Sequence, residues 1–140
     1  MNYENTKCII IIDKNLPIGM IANTAAILGC SLNHYIKDIV GSEVTDKSNI
    51  IHKGVINIPL PILEAESDKI KNIYTTCIKE YNDKLTVIGF NDVAQKCKDY
   101  DDYMKKLSHT EFDALNYFGI CIYGDKKAIN KMTGSLRTLK

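Results

Sequence analysis

The sequence predicts an α/β protein, a three-layer sandwich with a mostly parallel sheet flanked by helices. Three observations carry this expectation. Lys7–Asp13 contains four consecutive isoleucines, Ile9 to Ile12, apolar on both faces as a doubly covered central strand is. Strand-like and helix-like segments alternate along the chain. No repeat, low-complexity stretch or linker divides the 140 residues, so residues 1–140 are expected to form one domain.

The elements follow in order. After the first strand, Asn15–Gly19 reads as a tight loop. Met20–Leu32 reads as a helix, with Ile21, Ala25, Leu28 and Leu32 at helical spacing. Met20, Ala22, Ala26 and Ile27 make it apolar nearly all round, so the domain or a second subunit should cover it on more than one side. Glu43–His52 reads as a hairpin around Asp46–Asn49. Val55–Pro61 reads as an edge strand, because proline cannot serve a central ladder. Ser67 is the expected N-cap of an amphipathic helix carrying Ile70, Ile73, Tyr74, Cys77, Ile78 and Tyr81. Leu85–Phe90 is a buried strand. Tyr100, Tyr103, Met104 and Leu107 mark a short helix. Tyr117–Tyr123 is a strand and Asp125–Met132 a helix, with Gly134 at its C-terminal cap.

Composition narrows the function classes. With 18 basic and 17 acidic residues the net charge is +1, so nucleic acid is not the expected partner. The five cysteines are odd in number and form no Cys-x-x-Cys unit, so neither a disulfide framework nor a zinc site is expected. They fit a reducing compartment. Residues 1–7 carry no signal-peptide core, and no apolar run approaches the roughly 20 residues that span a bilayer. A cytoplasmic protein without a membrane partner is expected. Gly-x-Gly-x-x-Gly, Walker and Gly-x-Ser-x-Gly motifs are absent, the three histidines are far apart, and neither metal nor cofactor is called for.

Candidate residues come from position. Ligands of open α/β sheets bind beyond the carboxyl ends of the strands. Asp13 and Lys14 end the first strand, and Asp92 follows the Leu85–Phe90 strand. They converge at one rim if those strands are parallel neighbours; alternatively the aspartates hold the turns that follow. Asn23 and Thr24 interrupt the apolar helix, either as a structural bond to a loop or as a ligand-facing pair near a helix N-terminus that favours anions. His52, in His52-Lys53-Gly54, is either an acid–base group or a solvated loop histidine. Lys126, Lys127, Lys131, Arg137 and Lys140 form a solvated basic face or a phosphate-contacting patch.

Longer motifs add a resemblance. Lys7–Asp13 followed by Asn15–Ala26, then His52-Lys53-Gly54, Asp92-Val93-Ala94-Gln95 and the run from Tyr123 to Leu136, resembles a bacterial domain-of-unknown-function family (number two thousand) over nearly the whole chain. That family is distantly similar to peptidyl-tRNA hydrolase II. Lys7, Gly19, Ala22, Asp92 and the run Lys131-Met132-Thr133-Gly134-Ser135-Leu136 match the scheme of those small, usually dimeric enzymes. The resemblance implies a peptidyl-tRNA hydrolase II-like fold and places Gln95, Lys131 and Thr133 among the site residues. Met20 stands where those enzymes carry a loop lysine, and Ile27 sits near their histidine, so the charged half of their site is replaced.

Ahead of a third, peptidyl-tRNA hydrolysis by a rearranged site, two functions stand. One is a hydrolase or transferase acting on a small or nucleotide-bearing substrate at the strand-end cleft, with Asp92 and His52 catalytic and Asp13, Lys14, Asn23, Thr24, Gln95, Lys131 and Thr133 binding. The other is a non-catalytic ligand- or protein-binding module that kept the fold. A homodimer through the apolar first helix is expected in either case.

Overall fold

The computed structural model describes residues 4–140. The isoleucine run forms β1 (Thr6–Asp13), and its two faces build two cores. Cys8, Ile10 and Ile12 face α1 (Ile18–Tyr35), packing with Leu28 and Leu32, and with Ile36 and Ile39 just beyond the helix. Ile9 and Ile11 face the other way. Both sets are essentially inaccessible to solvent. Each buried isoleucine side chain contributes about 1.5–3 kcal/mol, which makes β1 the axis of the molecule.

The helix α1 begins directly after Pro17, its N-cap, earlier than the apolar spacing indicates. It is not covered all round. Ile18, Ala22, Asn23, Ala26 and Cys30 are exposed. Apart from Ile18, which is 85% exposed, the residues of this face are small or polar, so it leaves little other apolar area in water.

The hairpin forms as expected, from β2 (Val44–Thr45) and β3 (Ile51–His52), but as a separate two-stranded arm. Val55–Pro61 is not a strand of the main sheet. Its first part runs back along the other leg of the arm, bridging Val40 to Ile56. Pro59 and Pro61 lack N–H groups, so main-sheet pairing starts only after them, at β4 (Ile62–Ala65). Ser67 is the first residue of α2 (Ser67–Glu80) rather than its cap; Glu66 holds that position without a side-chain bond to the helix N-terminus.

Next come β5 (Leu85–Asn91), the short helix α3 (Asp92–Gln95), α4 (Tyr100–Ser108) and a 3-10 turn at Phe112–Ala114. The chain ends in β6 (Tyr117–Asp125), α5 (Lys126–Thr133) and β7 (Arg137–Thr138). Ile70, Ile73 and Cys77 of α2 and Ile129 of α5 fill the second core, opposite α1. Helices therefore flank both faces.

The sheet order is β5-β6-β1-β4-β7. Only β1 and β4 pair in parallel; the other three pairings are antiparallel. The expectation of a mostly parallel sheet is thus corrected. The cause is β6, which returns between β1 and β5 instead of adding outside them. Even so, β1, β4 and β5 all point the same way, and their carboxyl ends share one rim. A bulge at this rim leaves Phe118 without a partner, since Phe90 pairs with Gly119 and Asn91 with Tyr117.

Candidate functional site

At the rim, Asp13 and Asp92 are held by neighbours. Asp13 Oδ1 accepts the Asn15 N–H at 2.9 Å, an Asx turn that closes the loop into α1. The Asn15 side-chain amide donates to Glu66 at 2.6 Å, and Lys14 pairs with the same carboxylate at 3.3 Å. Asp92 belongs to Asn116. Its two carboxylate oxygens accept the Asn116 backbone and side-chain N–H groups at 3.2 Å each, and its own N–H donates to the Asn116 carbonyl at 2.9 Å. The strand β6 lies between β1 and β5, which sets Asp13 and Asp92 two strand spacings, about 10 Å, apart. Lys14 and Glu66 open onto a shallow depression of about 360 Å³, which Lys69, Glu64 and Arg137 also line.

The remaining candidates are dispersed. Asn23 is exposed on α1, not buried as a polar interruption of an apolar helix would be. Thr24 is fully buried, and among the described residues its hydroxyl has no hydrogen-bond partner. Its methyl packs at Gly119, where a Cβ would come within 2.7 Å of it, so Thr24 faces the sheet rather than a ligand. Gln95 and Lys131 are exposed. Thr133 is buried and donates to the Ile129 carbonyl at 2.7 Å, a bond internal to α5. His52 belongs to the arm. Its Nε2 lies 2.8 Å from the Asp46 carboxylate. From the rim, α1 carries the chain some 27 Å back before the arm emerges, so His52 stands at the opposite end of the sheet from Asp92. The fold does not bring these two together. Among the described residues no group of three His, Cys, Asp or Glu side chains is placed to hold a metal ion.

A larger cavity lies beside the outer edge of β5. It is a cleft of about 600 Å³, within the usual range for small-molecule sites. Val87 to Phe90 form its floor, Ile27, Ser31 and Tyr35 of α1 one wall, Tyr74 of α2 another, and Cys97, Asp99, Tyr100 and Tyr103 its roof. Tyr74 stacks on Tyr117 with ring centroids 4.5 Å apart, and Tyr100 meets Tyr103 edge-on at 5.5 Å. Asn91 is buried at the end of β5. Its side-chain oxygen accepts the Ala94 N–H at 2.9 Å, capping α3. Burial raises the Tyr103 pKa, helped by neighbouring Tyr100. Burial also raises the pKa of Tyr117, helped by neighbouring Tyr74. Both phenols therefore stay protonated at neutral pH and serve as donors. Asp99 is the one carboxylate in the lining and caps α4 through the Asp102 N–H. No lysine or arginine lines this cleft among the described residues.

Residues 6–140 match the family described as "Protein of unknown function (DUF2000)". The chain belongs to this family. A search of curated proteins finds no match for the DUF2000 chain. Among solved structures it is similar to a protein of unknown function from Agrobacterium tumefaciens strain C58, with a TM-score of 0.84 and 16% identity, covering 96% of this chain and 97% of that one. At that identity the likeness shows the shared fold of the DUF2000 chain and nothing about its chemistry.

The cleft was not found by sequence reasoning. Its lining comes from four separate segments, and Tyr74, Tyr100 and Tyr103 read from the sequence as ordinary helix stripes. The available signal was the eight tyrosines against no tryptophan, too diffuse to point to one place.

Proposed function

We propose that this DUF2000 protein is a non-catalytic binding module whose tyrosine-lined cleft holds a small planar ligand without phosphate groups. The observation carrying this reading is the lining itself. Aromatic faces from Tyr74, Tyr100 and Tyr103 and neutral hydroxyl donors surround a cleft with one carboxylate and no cation. Aromatic rings stack planar groups, and hydroxyls fix their orientation. A phosphate needs N–H-rich or cationic partners, which this cleft does not offer. The nucleotide-bearing class thereby narrows to nucleoside-like or other uncharged ring compounds. The hydrolase or transferase reading requires Asp92 and His52 in one site, and they stand at opposite ends of the sheet. The scaffold's similarity to peptidyl-tRNA hydrolase II belongs to the same proposal: the fold was kept and the chemistry lost.

Tyrosine fluorescence provides the test, because the chain has no tryptophan to mask it. Nucleosides titrated against the protein should change the signal saturably, and their 5′-monophosphates should bind at least tenfold more weakly. Tyr100→Ala, at a position 72% exposed and so tolerant of change, should abolish the response. Monophosphates binding as well as nucleosides, or binding unchanged in Tyr100→Ala, would overturn the reading.

A further inference from the structure

Strand β5 ends the sheet, with β6 on one side and no strand on the other. Its outer edge is a row of main-chain donors and acceptors, and bonds at its start fix which residues face which way. The Lys84 carbonyl accepts the Asp125 N–H at the end of β6, 3.3 Å away, while the Leu85 N–H turns away from β6 to the Tyr81 carbonyl at 2.8 Å. Main-chain groups alternate sides along an antiparallel strand. Thr86, Ile88 and Phe90 therefore bond to β6, opposite Tyr123, Cys121 and Gly119. Val87 and Gly89 turn their N–H and C=O groups outward. Among the described residues nothing bonds these four groups.

The tyrosine-lined cleft sits on this edge. Val87 and Gly89 line it, and its walls come from α1 on one face of the sheet and α2 on the other, so it lies beside the strand rather than over either face. Two other polar groups of the lining have their protons committed. The Ser31 hydroxyl donates to the Ile27 carbonyl and the Cys97 thiol to the Val93 carbonyl, both at 2.9 Å. Edge strands usually carry charged residues or proline that discourage pairing, and Leu85–Asn91 has neither. The free stretch is also short. Tyr81 takes the N–H before it and the strand bulges after Phe90, which leaves the outward groups of two residues. That suits one ring better than a pairing strand of ordinary length, roughly three to ten residues.

We propose that the main chain of β5 selects the ligand: Val87 and Gly89 hold a heterocycle that carries a hydrogen-bond donor and an acceptor side by side on one ring edge. The proposal rests on the tyrosine cleft being a site for a planar ligand, and adds the hydrogen-bonding pattern that ligand must have. A ring entering the cleft strips water from the outward N–H and C=O groups, and each one left unpaired weakens binding. A hydrocarbon ring matches none of them. A ring with acceptors alone serves the N–H groups and leaves the carbonyls bare. Donor and acceptor together serve both. The ladder with β6 holds the edge in place before the ligand arrives, so little ordering entropy is lost on binding.

Nuclear magnetic resonance on the whole chain tests it with adenosine, whose amino group stands beside a ring-nitrogen acceptor. In the free protein the Val87 and Gly89 amides should exchange with solvent faster than those of Thr86, Ile88 and Phe90. Saturating adenosine should shift the Val87 and Gly89 amide signals and slow exchange at one of them by roughly tenfold or more. Purine riboside, the same ring without the amino group, should bind roughly tenfold more weakly in calorimetry. Adenosine that saturates the tyrosine signal yet leaves both amides unmoved, or that binds no tighter than purine riboside, overturns the proposal while the cleft remains a ligand site. So do Val87 and Gly89 amides already protected in the free protein. A tyrosine signal that no nucleoside changes would instead remove the cleft as a nucleoside site, and the proposal with it.

Discussion

Gly89 lies against the ring of Tyr117, and a Cβ at position 89 would stand 2.8 Å from the Tyr117 Cδ1 atom and 3.2 Å from Cε2 of Tyr74. The missing side chain lets the stacked tyrosine pair approach β5, and Tyr74 of that pair lines the cleft. Gly89→Ala should therefore destabilise the protein by about 1–3 kcal/mol, the usual cost of overpacking a core. Urea denaturation should show it as a lower midpoint. Ligand response should fall in the same variant, and full retention of both would refute this role.

Asp92 has a role that the structure makes testable without an activity assay. Its three bonds with Asn116 fasten β5 to the start of β6 at the rim. Asp92→Ala removes the two side-chain bonds and should cost about 1–2 kcal/mol in chemical denaturation. Nucleoside binding should survive. A variant as stable as wild type that loses binding would make Asp92 a functional rather than a fastening residue.

Thr24 offers a prediction of opposite sign. Its buried hydroxyl lacks a partner among the described residues, and an unsatisfied buried hydroxyl costs free energy. Thr24→Val keeps the shape and removes that group, so it should stabilise the fold by about 1 kcal/mol. A lower melting temperature would show that the hydroxyl is satisfied in solution.

The arm's tip should respond to acid. The bond from His52 is the main cause holding the Asp46 carboxyl below its usual value of 3.8, and the Ile50 and Ser48 N–H groups add to it. A carboxyl depressed in the folded state contributes order that is fully present above 3.8 and lost as pH falls through the lowered value. The backbone amide signals of Ser48 and Ile50 in an NMR titration should move together with a midpoint below 3.8. A midpoint at or above that value contradicts the bond pattern of the turn.

Thiol reactivity should sort by depth. Cys30 is exposed on α1 and Cys97 half-buried, while Cys8, Cys77 and Cys121 are buried. Burial pushes the Cys77 thiol up to about 11, and Cys121 is raised by the hydrogen bond to Cys8 and by burial. Because the thiolate is the reactive form, Ellman's reagent should label Cys30 first in the native protein and reach the three buried thiols only on unfolding. Fast labelling of Cys121 would place that part of the core in contact with solvent.

The elements that were legible in the sequence share one property. β1, α1, α2, β5 and β6 each carry a long apolar period that a local pattern can encode. Strand direction was not legible, because it depends on where β6 inserts, a choice made by contacts more than 100 residues apart in the chain. Val55–Pro61 misled because its β-branched residues serve the base of the arm, and the two prolines postpone the sheet. Of the candidate residues, Asp13 and Asp92 lie at one rim with β6 between their strands, and their bonds to Asn15 and Asn116 are of the turn-holding kind that spacing leaves open beside a ligand role. His52 lies on the arm, because eighteen helical residues carry the chain away from the rim before it is reached.

The insertion of β6 between β1 and β5 also constrains how the protein comes into being. The strand Thr6–Asp13 waits for a neighbour that starts at Tyr117, and β5 needs the same strand. Until β6 has left the ribosome, the isoleucines of β1 have β4 alone beside them. Pairing at such sequence separation is slow to nucleate. The nascent chain therefore exposes its most apolar strand for most of its synthesis. A chain stopped before Tyr117 should require chaperone protection and fail to reach a protease-resistant state.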